Sequence, residues 1–536
     1  MEKKKISLIG SLATLFFLLA SHICLGGDYE IINDNFPIAT TSRHEMIPDS
    51  AYNPVNNDFM ILWHTNGPFG ECDGPNMWSI DGQRVSPNGE RLGDTFSLEG
   101  PTVDTPNIYA KLSHNMFTNQ YLATYTKQHG ETGDDVFIAL IGSDGVLGNG
   151  FPRCLSATPT RASHPDPVFN SRDREYLVIY NDSRYKSENP SFEVDSIVAR
   201  LDEDGELIGE GEFWVGSQEG IQYNPQIVYN PMDNNYLTAW EDYRGKNEWT
   251  DQTDIWGALL DESGKTLKEI PLWVDKNEDD DDQRTQEIAY NSHRNEYLVI
   301  TDETRADGNV PLMGRVFEAD GTPIGEEDFV VADAAGEQTY PHIVYVETRK
   351  KYFAVWFDTR NASSGAGDSW RTADTIDIFG RWLSESGEPI GDEIEICVRE
   401  GRQLWERVAY NPVMDQLLIT WQDENVYECA LTDDVLWFSG GDIRGTIYGV
   451  PSFLYGQVIE EGTANPVEGA WALVMGPSLP AMKKTNVGGW FNVAKESQSN
   501  GKYLAVVFKL GYFPTIQSVD YAGEPRIETI EMKKLW

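Results

Sequence analysis

The sequence predicts an all-β fold, a seven-bladed β-propeller followed by a small β-sandwich. Three observations predict it: a recurring unit, fixed spacings inside that unit, and a change of pattern after residue 453. The unit is clearest at residues 225–267. There Ile227 and Tyr229 alternate with polar or small residues before a turn at 230–234, and Tyr236, Thr238 and Trp240 alternate again, the period of two that marks strands. Residues 254–260 read as a third strand. Asp261-Glu262-Ser263-Gly264 supplies the positive-φ position that turns the chain into a fourth strand at 269–274. Second-strand anchors stand at Phe59, Tyr121, Tyr176, Tyr236, Tyr297, Tyr352 and Leu417, in steps of 62, 55, 60, 61, 55 and 65 residues. Pro48, Pro165, Pro225 and Pro341 each lie eleven residues before their anchor, and the spans 135–145, 195–205, 254–264 and 377–387 each run ten residues from Asp to Gly. Chance does not hold both spacings through loops of varying length, and four-stranded units in such number arrange radially.

In chain order, Met1 to Lys5 is charged, residues 6–20 are apolar and Gly26 and Gly27 are small, the pattern of a secretory signal peptide over 1–27. The mature protein is therefore expected outside the cytoplasm, secreted to the periplasm or beyond. Residues 35–41 read as an outer fourth strand with no three strands before them. The seventh repeat lacks the complement, so pairing the two closes a ring over 28–450 and hides two sheet edges. Within that repeat, 426–431 and 443–448 compete for the third strand.

From Phe453 to Trp536 the repeat disappears. Strand-like segments at 456–459, 465–470, 485–491, 501–506 and 511–512 are separated by Gly and Pro turns. Their order resembles the carboxypeptidase regulatory-like family, a transthyretin-like sandwich, with Asn486 where that family has Asp. The resemblance implies an accessory fold without catalytic residues over 453–536. The repeats in turn resemble secreted bacterial β-propellers carrying Tyr-Leu-x-x-Trp-x-Asp-x-Arg. The motif stands here as Tyr236 to Arg244 and, with Phe353 for Leu, as Tyr352 to Arg360. That likeness implies a fold far more than an activity.

The 536 residues carry a formal net charge of -44, with one acidic run at 278–282. Nucleic acid is an unsuitable partner, because phosphate neutralisation needs clustered Lys and Arg. No segment after the signal has the roughly twenty apolar residues of a membrane span. Calcium in the acidic loops stays open, and no other cofactor is indicated. Cys24 leaves with the signal; Cys72, Cys154, Cys397 and Cys429 remain, and a Cys397–Cys429 bridge between neighbouring repeats stands beside free buried thiols.

Asp182/Arg184, Asp242/Arg244 and Asp358/Arg360 recur at one place in the unit. A pair repeated around a ring is structural, an ion pair tying each loop to its neighbour. The aromatics Trp63, Tyr125, Tyr180, Trp240, Trp356 and Trp421 recur likewise and are expected between blades. His293-Arg294-Asn295-Glu296 has a zinc-like spacing but falls on a hairpin turn, with no third ligand near it in sequence. Loops between second and third strands swell to 64–79 and 359–375, and long loops on a rigid scaffold carry binding residues. Phe69, Trp78, Trp249 and Trp370 are therefore the ligand-contact candidates.

The functional expectation is a secreted, monomeric, non-enzymatic protein that binds a glycan or protein on the long-loop face. It rests on three absences: no nucleophile motif, no complete metal-ligand set, and no carboxylate pair set apart from the seven-fold pattern. The alternatives are a propeller glycoside hydrolase or lyase, which needs non-repeating carboxylates at the centre, and a calcium-dependent surface protein.

Overall fold

A computed structural model describes residues 28–535 except 42, 69–76, 104, 129–132, 157–160, 185–193, 217–219, 245–252, 274–281, 306–307, 326–327, 364–368, 425–440, 478–479, 495–499 and 523–524. The described residues form an all-β, propeller-like structure. Up to residue 449 they make seven four-stranded antiparallel sheets. In six of them the strands follow chain order, so each sheet is a meander. The first strands of the sheets are Arg43–Asn53, Asn107–Asn115, Ala162–Asn170, Gln222–Asn230, Asp282–Asn291, Gln338–Val346 and Arg402–Asn411. Each lies beside the next, and the last lies beside the first, so the seven surround an axis.

The seventh sheet is assembled from both ends of this region. Arg402–Asn411, Gln416–Glu424 and Gly441–Gly449 are joined by Glu30–Ala39, which pairs antiparallel with Gly441–Gly449 through Phe36 opposite Gly445 and Ala39 opposite Ile443. The third strand is thus the later of the two candidates, and the N-terminal strand begins earlier than the apolar pattern at 35–41 indicated. Phe36 and Ile38 are buried there with Ile443, Ile447 and Trp63 of the first sheet, joining last sheet to first.

A bulge repeats in every first strand. Ile47, Tyr109, His164, Asn224, Thr285, Tyr340 and Trp405 have φ between 48° and 57°. The ladder slips at each of them, for instance between Ser163 and Asp166 and between Tyr223 and Gln226. Such a bulge leaves the following N–H outside the ladder, which is why Pro48, Pro165, Pro225 and Pro341 are tolerated there. Left-handed φ costs a non-glycine residue energy, so neighbours must hold it. At several of the seven a side chain of the adjacent sheet accepts the apex N–H: Gln422 Oε1 that of Ile47 at 3.1 Å, Thr126 Oγ1 that of His164 at 3.2 Å, Asn181 Oδ1 that of Asn224 at 3.1 Å and Glu241 Oε1 that of Thr285 at 3.3 Å.

The Trp-x-Asp-x-Arg motif is a closed set of bonds. Trp240 Nε1 donates to Asp242 Oδ2 at 2.8 Å, which also accepts from Arg244 Nη2 at 2.7 Å. Trp356, Asp358 and Arg360 repeat this. The arginines reach the outer strand of their own sheet rather than a neighbouring loop: Arg184 to Glu212 at 2.5 Å, Arg244 to Glu269 at 3.7 Å and Arg360 to Glu393 at 2.6 Å. Arg244 also lies 3.5 Å over the Trp256 ring. The expected loop-to-neighbour tie is therefore corrected to a tie within one sheet, because Arg is long enough to cross two strands.

Beyond residue 450, a three-stranded sheet (Ser452–Glu460, Trp490–Ala494, Arg526–Met532) faces a four-stranded one (Trp471–Met475, Ala481–Lys484, Gly501–Phe508, Thr515–Tyr521). Phe453, Val458, Val474, Phe491, Tyr503, Val507 and Ile530 share one core between them. Residues 465–470 lie outside the strands and 485–489 form a turn. Asn486 organises that turn, accepting the N–H groups of Gly488 and Trp490 at 3.0 and 2.9 Å. Its amide donates to Pro54 O at 2.7 Å, and Trp490 Nε1 donates to Val55 O at 3.0 Å. Pro54 and Val55 are the first hairpin turn of the first sheet, so this unit meets the end of the ring opposite the long loops. An Asp at 486 has no hydrogen to give Pro54.

Candidate functional site

A cavity of about 570 Å³ opens on the axis near the N-terminal halves of the first strands. Its wall is set by the bulges, since the left-handed residues Tyr109, His164, Tyr340 and Trp405 all line it. Two aromatic groups stand in the wall. Tyr109 stacks on His164 at 4.2 Å, and Tyr223 Oη lies 2.8 Å from His164 Nε2. Burial pushes the His164 imidazole down to about 3, so it is neutral. Tyr340 contacts Trp405 at 4.6 Å and Trp370 at 5.6 Å, each edge to face.

Two residues beyond each bulge apex stands Asp49, Lys111, Asp166, Gln226, Glu287, His342 or Arg407, each ten residues before its second-strand anchor. The ring is chemically uneven although its backbone repeats. Arg407 lies 3.7 Å from Asp49 across the junction of last and first sheets. Asp49 Oδ2 accepts the Leu112 N–H at 2.8 Å, and Asp166 Oδ2 accepts the Ile227 N–H at 3.0 Å. Glu287 accepts from Gln226 Nε2 at 2.6 Å and lies 3.4 Å from His342 Nε2. The Val408 N–H points at His342 Nδ1 from 3.4 Å, so the neutral ring carries its proton on Nε2, toward Glu287. Lys111 lines the cavity and makes no ion pair or side-chain hydrogen bond among the described residues.

Burial shapes the titration of these acids. Glu287 is pushed up to about 7 by burial, against Lys111 and Arg407, which pull it down. Asp166 is raised for the same reason, with Lys111 again opposing. Glu406, fully buried between Trp405 and Arg407, is pushed up to about 8 by burial. A carboxyl near 7 holds its proton part of the time at neutral pH, which a general acid requires.

Of the residues singled out from sequence, Trp370 lines the cavity, brought there by the long loop of the sixth sheet. Trp78 sits in the strand Met77–Val85, 5.8 Å from the His64 ring, and is not among the cavity-lining residues. Phe69, Trp249 and Cys429 lie outside the described residues, as do residues 1–27 and most of the acidic run. Cys397 is buried. His293 is at the surface, 2.8 Å from Glu385. No group of three or more His, Cys, Asp or Glu among the described residues is arranged to hold a metal ion.

The ring residues were missed from sequence because each looks like one more polar residue in an alternating strand. The signal was a column: aligned on the anchors, this position holds Asp, Lys, Asp, Gln, Glu, His and Arg, whereas the position before it is Pro in four of the seven copies.

No protein-family model matches the chain, and no curated protein matches it. Similar solved structures include a protein of unknown function from Dyadobacter fermentans (10% identity, 78% of this chain and 99% of that one, TM-score 0.46). Others are the Penicillium chrysogenum alpha-L-arabinanase complexed with arabinobiose (11%, 78% and 99%, 0.40) and the NanB sialidase from Streptococcus pneumoniae (8%, 78% and 70%, 0.41). The expectation of a non-enzymatic binding protein is corrected here. It required that no carboxylates stand apart from the repeat, and Asp166 and Glu287 both line the axial cavity at a position where four of the other sheets carry Lys, Gln, His or Arg. The chemistry is read from the cavity alone. Among the described residues, no helix is long and apolar enough to cross a membrane.

Proposed function

We propose that the chain is an exported glycan-cleaving enzyme, a glycoside hydrolase or lyase, working in the axial cavity of a seven-bladed propeller closed by its N-terminal strand. The observation that carries the reading is the pair Asp166 and Glu287 on one uneven ring, with aromatic walls on both sides. Sugar rings present apolar faces to aromatics and hydroxyls to polar groups, and this cavity offers both. Glu287 is the general acid, because burial keeps it protonated up to about 7. It delivers that proton to the glycosidic oxygen as the bond breaks. Asp166, held by the Ile227 N–H, is the base that takes a proton from the water adding to the anomeric carbon through an oxocarbenium-like transition state, so one proton is given and one taken up.

A second reading, elimination, is favoured by the bond between Tyr223 Oη and neutral His164. In that reaction His164 takes up a carbon-bound proton next to a carboxylate while the adjacent C–O bond breaks, a double bond forms and Glu287 gives its proton to the leaving oxygen. One assay separates the two. Incubation with polysaccharides that releases reducing ends without ultraviolet absorbance is hydrolysis; release with absorbance is elimination; release of neither by the intact protein overturns the enzymatic reading. Residues 453–536 are proposed as an accessory β-sandwich resembling the carboxypeptidase regulatory-like family, supported by two sheets around one core.

A further inference from the structure

We propose that the glycan taken by the axial cavity is acidic, and that Lys111 is the residue that binds its carboxylate. This rests on the reading of the cavity as a glycan site and adds the substrate class. Across the chain acids outnumber bases by 86 to 42. The cavity reverses that bias, with Lys111, Arg284, Arg371 and Arg407 among its lining residues against Asp166, Glu241 and Glu287. All three of those acids are engaged by the protein itself, since Asp166 accepts the Ile227 N–H, Glu241 accepts the Thr285 N–H and Glu287 is bonded to Gln226. Arg407 has Asp49 beside it, so its charge is partly answered.

Lys111 is different. It occupies the ring position on the second sheet, half-buried, between Asp49 and Asp166 in ring order, and is within 4 Å of neither. A half-buried ammonium with its hydrogens uncommitted gains most from an incoming anion. At the rim, Arg371 lies 4.7 Å over the Trp370 ring, placing a second cation above an aromatic surface suited to a sugar face. A neutral glycan uses neither charge. A uronate uses both, one residue deep in the cavity and another at its mouth.

The test is affinity electrophoresis of the intact protein through gels containing polygalacturonate, alginate or hyaluronan, each beside its carboxyl-reduced counterpart. Retention by at least one acid form, lost in its reduced form and weakened by salt, is the expected result. Lys111→Met should weaken that retention by roughly tenfold or more, and Lys111→Arg should restore part of it. Circular dichroism of each variant keeps a folding defect from passing as a binding one. Retention on none of the acid forms, equal retention on acid and reduced forms, or undiminished retention of folded Lys111→Met overturns the proposal. Retention without turnover leaves the acidic-glycan assignment standing and removes the enzymatic reading instead.

Discussion

Asn411 of the last sheet donates its side-chain amide to Asn57 Oδ1 of the first at 3.0 Å, across 354 residues of sequence. The same bond joins Asn53 to Asn119 at 2.9 Å, Asn170 to Asn234 at 3.2 Å and Asn230 to Asn295 at 2.8 Å. The junction between the ends of the ring is thus fastened by the bond used inside it. Asn57, Asn119, Asn234 and Asn295 all have positive φ, which Asn tolerates better than most residues, so one amino acid serves turn and clasp together.

Asn411→Ala should therefore lower stability by roughly 1–3 kcal/mol, since it removes the seam bond and takes away the acceptor of the Val413 and Met414 N–H groups in the turn beside it. Deleting residues 28–40 should cost far more, because it strips the outer strand from the seventh sheet. Urea unfolding of the two variants checks this, and equal midpoints for the deletion and the intact chain would refute the seam.

Glu287→Gln and Asp166→Asn should each cut turnover by roughly 10²-fold or more while leaving the fold intact. On the proposed mechanism, kcat/KM of the unaltered protein should fall as pH rises through about 7, where Glu287 loses its proton. A rate that is flat from pH 6 to 9 would remove Glu287 as the acid.

Glu406 makes stability depend on pH. Its folded value of about 8 lies above its ordinary 4.5, so the native state holds the proton more tightly, and stability should fall as pH rises between those limits. Glu406→Gln should flatten that decline and gain roughly 1–3 kcal/mol above pH 8. Melting temperatures across pH 5 to 9 decide it.

Asn486→Asp should loosen the C-terminal unit from the ring, replacing a donor to Pro54 O with a repelling carboxylate. The expected sign is faster protease cleavage near residue 450, with the melting of the ring unchanged. Trp370→Ala should weaken glycan binding without altering stability by more than about 1 kcal/mol, because its ring is half-buried at the cavity wall.

Much of the architecture was legible because it repeats. Anchors such as Tyr236 and Trp240 are fully buried, and a residue that must be buried in every copy writes a period into the chain. The Asp242/Arg244 pair was legible as structural for the same reason. The axial residues were not, since Lys111 and Glu287 occupy one structural position with opposite charges, and periodicity erases such differences. Trp370 was found because loop length marks it. Nothing in sequence spacing indicated that Tyr223 and His164 would touch, as their contact depends on how two bulges in adjacent sheets face the axis.

Those bulges separate two inheritances. The ladder on either side of Ile47, Tyr109 or His164 fixes the sheet, whereas the residue two places further on, where pairing with the second strand resumes, differs from sheet to sheet around the axis. Seven interchangeable seats around a common table follow from one backbone device. Exchanging the occupant of a seat alters the charge and shape of the cavity while the ladder of its sheet is untouched. The chemistry of such a cavity can therefore be altered one side chain at a time.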